Sequence, residues 1–280
     1  MTIKIVTDSS ITIEPELVKS LDITVIPLSV TIDGIVYLDS DLPLSDFVEK
    51  MQASKNLPKT SQPPVGIFAE KYEALAENPE DEIISIHIAK SLSGTVEAAR
   101  QGAKLSNKNV TVLDSDFTDQ ALKFQVVEAA RLAKLGLSKE EILEKIRQIR
   151  ENTELYIGFS TLENLVKGGR ISRTQGIIGN LLNMRVVAEM KNQELQTLHR
   201  GRGNKTFQKW LDEISRQITA SDKKVREIGI SHVDGLDFAK KAKNALQDFV
   251  EKEIPILDTN TTIATHTGTG AWAVLISYEP

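Results

Sequence analysis

The run HTGTGAW (266–272) sets His266 just ahead of Gly268 and Gly270. Imidazole is the side chain whose ordinary pKa falls nearest neutrality, and glycine lets a backbone approach a ligand closely. Such a stretch can hold a phosphate, activate a nucleophile or meet a carboxylate. Through Gly268, Gly270 and Ala273 it satisfies the loose dinucleotide pattern, but that loop must follow a strand, open a helix and continue into a further strand. Here AWAVLISY reads as a strand, and only seven residues follow Ala273. The expectation is a strand-to-strand loop that carries His266. GRGNKT (201–206) also lacks the phosphate-loop spacing.

Two hydroxyl-rich loops offer partners. In SLSGT (91–95) a strand ends, a Ser/Gly loop follows and a helix opens. Three roles are open to Ser93: capping that helix, contacting an anion beside Gly94 at the helix N-terminus, or acting as a nucleophile. The G-x-S-x-G elbow is absent. In KTSQPP (59–64), Thr60 and Ser61 precede two prolines that stiffen a helix entry. TDSS (7–10) closes the first strand. In an open α/β sheet, ligands sit beyond the carboxyl ends of strands, so TDSS and SLSGT are expected at one edge, joined by the Thr60 loop.

The elements that must position these loops follow from periodicity. Strand signals at 3–8, 82–89 and 109–115 alternate with helical ones through about residue 151, as in a parallel sheet covered on both faces. Residues 23–39 read as extended segments around an Asp33-Gly34 turn. From about 153 the pattern becomes strand, short helix, a hairpin around Lys191-Asn192, then helices and strands with a mixed or antiparallel sheet. The expected fold is α/β: an N-terminal parallel-sheet, Rossmann-like domain (1–153) and a smaller α+β domain (154–280), with a ligand at their junction.

Composition narrows the function. The 280 residues are 40% hydrophobic, 26% charged and 5% aromatic, with no cysteine and a net charge of −5. No thiolate chemistry is available, and the charge argues against general nucleic-acid binding. The start, MTIKIVTDSS, reads as a strand, so no signal peptide is expected. The four histidines (His87, His199, His232, His266) show no paired metal-ligand spacing, so no metal is expected. His87 and His232 read as core or structural positions. The segment 163–205 holds eight basic and three acidic residues. It is either a solvated face or a surface that steers anionic ligands or acidic proteins. The apolar run 176–187 within it is core or cavity wall.

TDSS, KTSQPP, SLSGT, GGRIS (168–172) and HTGTGA occur in the order and approximate spacing of the DegV family, which includes the fatty-acid-binding subunits of bacterial fatty acid kinase. The resemblance covers essentially the whole chain. It implies a fatty acid such as palmitate or oleate in a buried tunnel, its carboxylate bonded by Thr60 and Ser93, with Ser61 and Gly94 beside them and His266 close by. Arg170 and Arg202 resemble arginines that serve kinase docking or phosphoryl transfer. ATP would belong to a separate kinase catalytic subunit, and no cofactor is expected on this chain. The resemblance also implies a bacterial cytoplasmic setting with transient membrane contact. Family members often have proline where this chain has Thr269, which bears on the loop's stiffness. The other readings are a lipid-sensing regulator and, further off, a Ser93/His266 hydrolase.

Overall fold

The structure is a computed structural model describing residues 2–170, 174–175, 184–203 and 205–280. Ile171, Ser172, Arg173 and residues 176–183 of the apolar run 176–187 lie outside the described residues. The first half runs β1 (Ile3–Asp8), α1 (Pro15–Ser20), β2 (Ile23–Ile26), β3 (Ser29–Ile32), β4 (Ile35–Leu38), α2 (Leu44–Ala53), β5 (Lys59–Ser61) and α3 (Val65–Leu75). It continues with β6 (Glu82–His87), α4 (Thr95–Ser106), β7 (Asn109–Asp114), α5 (Asp119–Lys134) and α6 (Lys139–Glu151). The second half runs β8 (Thr153–Phe159), α7 (Glu163–Lys167), β9 (Thr174–Gln175), β10 (Arg185–Lys191), β11 (Glu194–Gly201) and α8 (Lys205–Ala220). It ends with β12 (Val225–Val233), α9 (Leu236–Leu246), β13 (Ile256–Asp258), α10 (Thr261–Thr267) and β14 (Ala271–Tyr278).

The α/β class is as expected. A parallel sheet of order β2-β1-β6-β7 is covered on one face by α5 and α6 and on the other by α3 and α4. Every residue of β6 is buried, as a central strand with helices on both faces requires. The larger sheet has order β13-β12-β14-β8-β10-β11-β9 and is mixed. Trp210 and Trp272 anchor the core between this sheet and helices α8 and α9. Helix α5 packs against strands of both sheets and is buried along most of its length. That burial explains a helix whose apolar residues face more than one side.

Two details depart from expectation. The extended run 23–39 divides: β2 joins the parallel sheet, while β3 and β4 form a separate antiparallel sheet of order β4-β3-β5. The second hairpin turns on Asn192 and Gln193, with φ of 50° and 63°. Two positive φ values are those of a type I′ turn, and Lys191 pairs with Glu194, so the turn lies one position beyond Lys191-Asn192. No helix among the described residues is long and apolar enough to cross a membrane.

Candidate ligand-binding site

Between the two large sheets lies a cavity of about 360 Å³. Leu155, Ile157 and Phe159 of β8 form one wall; Met190 and Leu195 of the second hairpin and Leu165 of α7 extend it. Ile88, Leu28 and Ile263 line it too. Ser61, Gln62 and Gly94 are exposed and mark the mouth, while Leu155, Met190 and Leu195 are buried.

Thr60, Ser61, Ser93, Gly94, His266 and Arg170 all line this cavity, so tertiary structure gathers residues from four separated segments. Thr60 lies on β5. Ser93 precedes α4, whose N-cap is Gly94; the Ser93 hydroxyl lies 2.8 Å from that of Thr95 and accepts from the Thr95 N–H at 3.3 Å. Ser93 therefore both bonds the first residue of α4 and lines the cavity. Arg202 is not among the lining residues; it is exposed beyond β11. The basic segment thus splits between the cavity and the surface.

His266 is not on a strand-to-strand loop. It occupies the last turn of α10, whose N-cap Asn260 accepts from the Ile263 N–H at 2.9 Å. The threonine-rich run TNTTIATHT is started as a helix by the Asn260 cap; within it Thr265 and Thr267 satisfy their hydroxyls on the carbonyls of Thr261 and Ile263. Gly268 then ends the helix at φ 75°, a conformation that favours glycine.

The imidazole is held from both sides. Its Nε2 lies 2.9 Å from Oγ1 of Thr60. Its Nδ1 is buried and has no hydrogen-bond partner among the described residues. A Cβ on Gly168 would fall 2.5 Å from that Nδ1, so the ring packs directly on glycine backbone. The carbonyl of Gly168 accepts from Arg170 at 2.8 Å. Burial, and then the nearby Arg170 charge, push the His266 pKa down to about 4. The ring is neutral at physiological pH. The proton placed on Nε2 serves the Thr60 contact, whereas on Nδ1 it would be a buried donor without an acceptor.

Distant carboxylates position these elements. Asp39 accepts at Oδ1 from the backbone N–H of Thr261 at 2.9 Å and of Thr262 at 3.3 Å, and from the Thr261 hydroxyl; at Oδ2 it accepts from Ser9 at 3.0 Å. Burial raises the Asp39 pKa, against the pull of these donors. Asp8 accepts from His87 Nδ1 at 2.9 Å and from the Ile88 N–H at 3.0 Å, fixing the strand end from which the Ser93 loop departs. Burial alone would raise the Asp8 pKa, but bonds from His87, Ser10 and Ile88 hold it below the ordinary carboxylate range. TDSS and SLSGT lie at one sheet edge, as expected, because β1 and β6 pair in parallel; TDSS does not itself line the cavity, and Asp8 and Ser9 brace the residues that do.

The chain Asp8–His87–Ser85 has the order of a hydrolase triad, with His87 Nε2 at 2.7 Å from the Ser85 hydroxyl. All three are fully buried and none lines the cavity. His87 packs edge-on against Phe68 at 5.3 Å, the core role expected of it. Gln62, Thr118, Thr262 and Thr267 also line the cavity and were not singled out in the sequence. Gln62 stood within KTSQPP; the threonines carried no signal beyond the density of hydroxyls around His266.

Fold and site together define an α/β protein of two large sheets and one small one, with an internal, largely apolar cavity and a polar mouth. The chain belongs to the DegV family: residues 2–279 match the family described as "Uncharacterised protein, DegV family". It is 71% identical over 279 residues to the DegV domain-containing protein YejH of Lactococcus lactis, covering 100% of each chain. Among solved structures it is similar to a DegV family protein from Thermus thermophilus described for its fatty acid binding, at 28% identity, TM-score 0.89 and full coverage of both chains. It is likewise similar to DegV, a fatty acid binding protein from Bacillus subtilis, at 28% identity, TM-score 0.86 and full coverage of both.

Proposed function

We propose that this protein binds a long-chain fatty acid in the cavity, carboxylate at the mouth. A separate kinase catalytic subunit then acts on that carboxylate. The observation that carries the reading is the apolar cavity of about 360 Å³ whose mouth gathers Thr60, Ser93 and neutral His266. Each buried CH₂ contributes about 0.8 kcal/mol, so an acyl chain supplies affinity while the mouth supplies orientation. A buried carboxylate needs directional donors. With Nε2–H of His266 donating to Thr60, the Thr60 hydroxyl hydrogen is free for the ligand, beside the Ser93 hydroxyl and the N-terminus of α4. The similar Thermus and Bacillus proteins are described as fatty acid binding, which supports the same ligand here.

In this reading the carboxylate oxygen attacks the terminal phosphorus of ATP on the partner, giving an acyl phosphate and ADP for phospholipid synthesis. Arg170 at the mouth and Arg202 on the surface serve docking or the developing phosphate charge. Residues 1–153 and 154–280 act as the two domains that close over the chain, in a bacterial cytoplasm. A hydrolase is disfavoured because His266 bonds Thr60 and Ser93 bonds Thr95, so no imidazole is paired with the serine.

Native mass spectrometry of the protein purified from bacteria tests the reading. A fatty-acid mass adduct that exchanges with added oleate is expected. A clean apo mass, with no uptake of oleate or palmitate, would overturn it.

A further inference from the structure

Gln62 and Gly94 are fitted to each other at the mouth. A Cβ on Gly94 would fall 2.2 Å from Oε1 of Gln62 and 3.2 Å from its Cδ, with Nε2 farther away at 3.6 Å. Gly94 is the N-cap of α4 and supplies no side-chain cap. The Gln62 amide therefore lies over the start of that helix, oxygen toward the glycine. Both residues line the cavity. Gln62 is exposed, whereas Pro63 is buried and Pro64 opens α3. A residue before proline is held extended, so the side chain rather than the loop is the adaptable part.

We infer that Gln62 determines head-group specificity: its amide closes over the start of α4 and donates to a carboxylate held beside Ser93 and Thr60. The inference rests on the fatty-acid reading above. A helix N-terminus already favours an anion, and a primary amide adds donors without a charge of its own. A residue bearing a carboxylate here would set like charges together at the mouth. Because any side chain at position 94 occupies the place of the amide oxygen, Gly94 and Gln62 act as one unit.

The test compares palmitate with hexadecanol, which share a chain length and differ in head group. Affinities are measured for the wild type, Gln62→Ala, Gln62→Glu, Gly94→Ala and the Gln62→Ala/Gly94→Ala double variant. Gln62→Ala weakens palmitate about tenfold, the loss expected for one hydrogen bond to a charged group. Gln62→Glu weakens it further, and the two leave hexadecanol within about twofold of wild type. Gly94→Ala reproduces the palmitate loss, and the double variant loses no more than the larger single one. Undiminished palmitate binding in Gln62→Ala overturns the inference. Equal losses for both ligands also overturn it, since Gln62 would then be only a piece of wall. Additive losses overturn the pairing with Gly94. If the wild type takes up no palmitate, the fatty-acid reading itself fails.

Discussion

Oγ1 of Thr60 and Nε2 of His266 lie 2.9 Å apart although 206 residues separate them in the chain. Thr60 sits on an edge strand of the small antiparallel sheet, and His266 on the last turn of α10. The contact joins the first half of the sequence to its final helix at the rim of the cavity.

If this pair sets the head-group donor, the two residues tolerate conservative replacement and little else. Thr60→Val and His266→Ala each lower fatty-acid affinity about tenfold or more, whereas Thr60→Ser and His266→Gln retain most of it. Ligand displacement titrations check this. Wild-type affinity in Thr60→Val would remove the hydroxyl from the head-group site.

His266 also makes stability depend on pH. Its folded pKa of about 4 lies below the ordinary 6.5, so the unfolded chain binds the extra proton in the interval between. The contribution of this residue, roughly 3 kcal/mol, is nearly complete above about pH 6.5 and is lost as the pH drops toward 4. Denaturant unfolding at stepped pH measures the slope, and His266→Gln should flatten it in that window.

Gly168 has no room for a side chain. A Cβ there would meet His266 Nδ1 at 2.5 Å and the carbonyl oxygen of Asn164 at 2.8 Å. The second neighbour is helix backbone and yields little, so Gly168→Ala costs about 1–3 kcal/mol. His266 is displaced as well, and its NMR titration should move toward the ordinary range. A melting temperature and a titration curve both equal to wild type would contradict this.

Asp39 tethers α10 through the backbone N–H groups of Thr261 and Thr262. Asp39→Ala leaves these donors and Ser9 without their acceptor and costs about 2–4 kcal/mol. Asp39→Asn keeps an acceptor and costs less. Because α10 carries His266, Asp39→Ala also weakens ligand binding in protein that remains folded; chemical denaturation and a binding titration separate the two effects.

Arg202 is exposed and away from the cavity lining, whereas Arg170 lines it. On the proposed function, Arg202→Ala therefore retains bound fatty acid at the wild-type level while slowing phosphorylation by the proposed kinase subunit about tenfold or more. Loss of the lipid from Arg202→Ala would show that this division of roles is wrong.

Much of the fold was legible because its signals are local. The parallel strands announce themselves as short β-branched runs, and α6 as Ser138 followed by Glu141, which form a capping box. The order of the hydroxyl loops marked Thr60, Ser61, Ser93 and Gly94, all of which line one cavity. The helix at 261–267 was not legible. A threonine-rich run has weak helix propensity, and what stabilises it includes Asp39, more than two hundred residues away. Gln62 went unremarked because an exposed glutamine has no periodicity, and its significance lies in a fit to Gly94 that only packing creates.

The sequence by itself determined the α/β alternation, the change of pattern near residue 153 and the chemical character of the site, because period, turn chemistry and residue type are properties of short windows. Tertiary structure decided which hydroxyls face the cavity and which brace it from behind, since Ser9 and Ser93 look alike in sequence but meet different partners. It also decided the state of His266. Near-neutral titration is intrinsic to imidazole, but burial between Thr60 and Gly168, close to Arg170, is what holds this ring neutral.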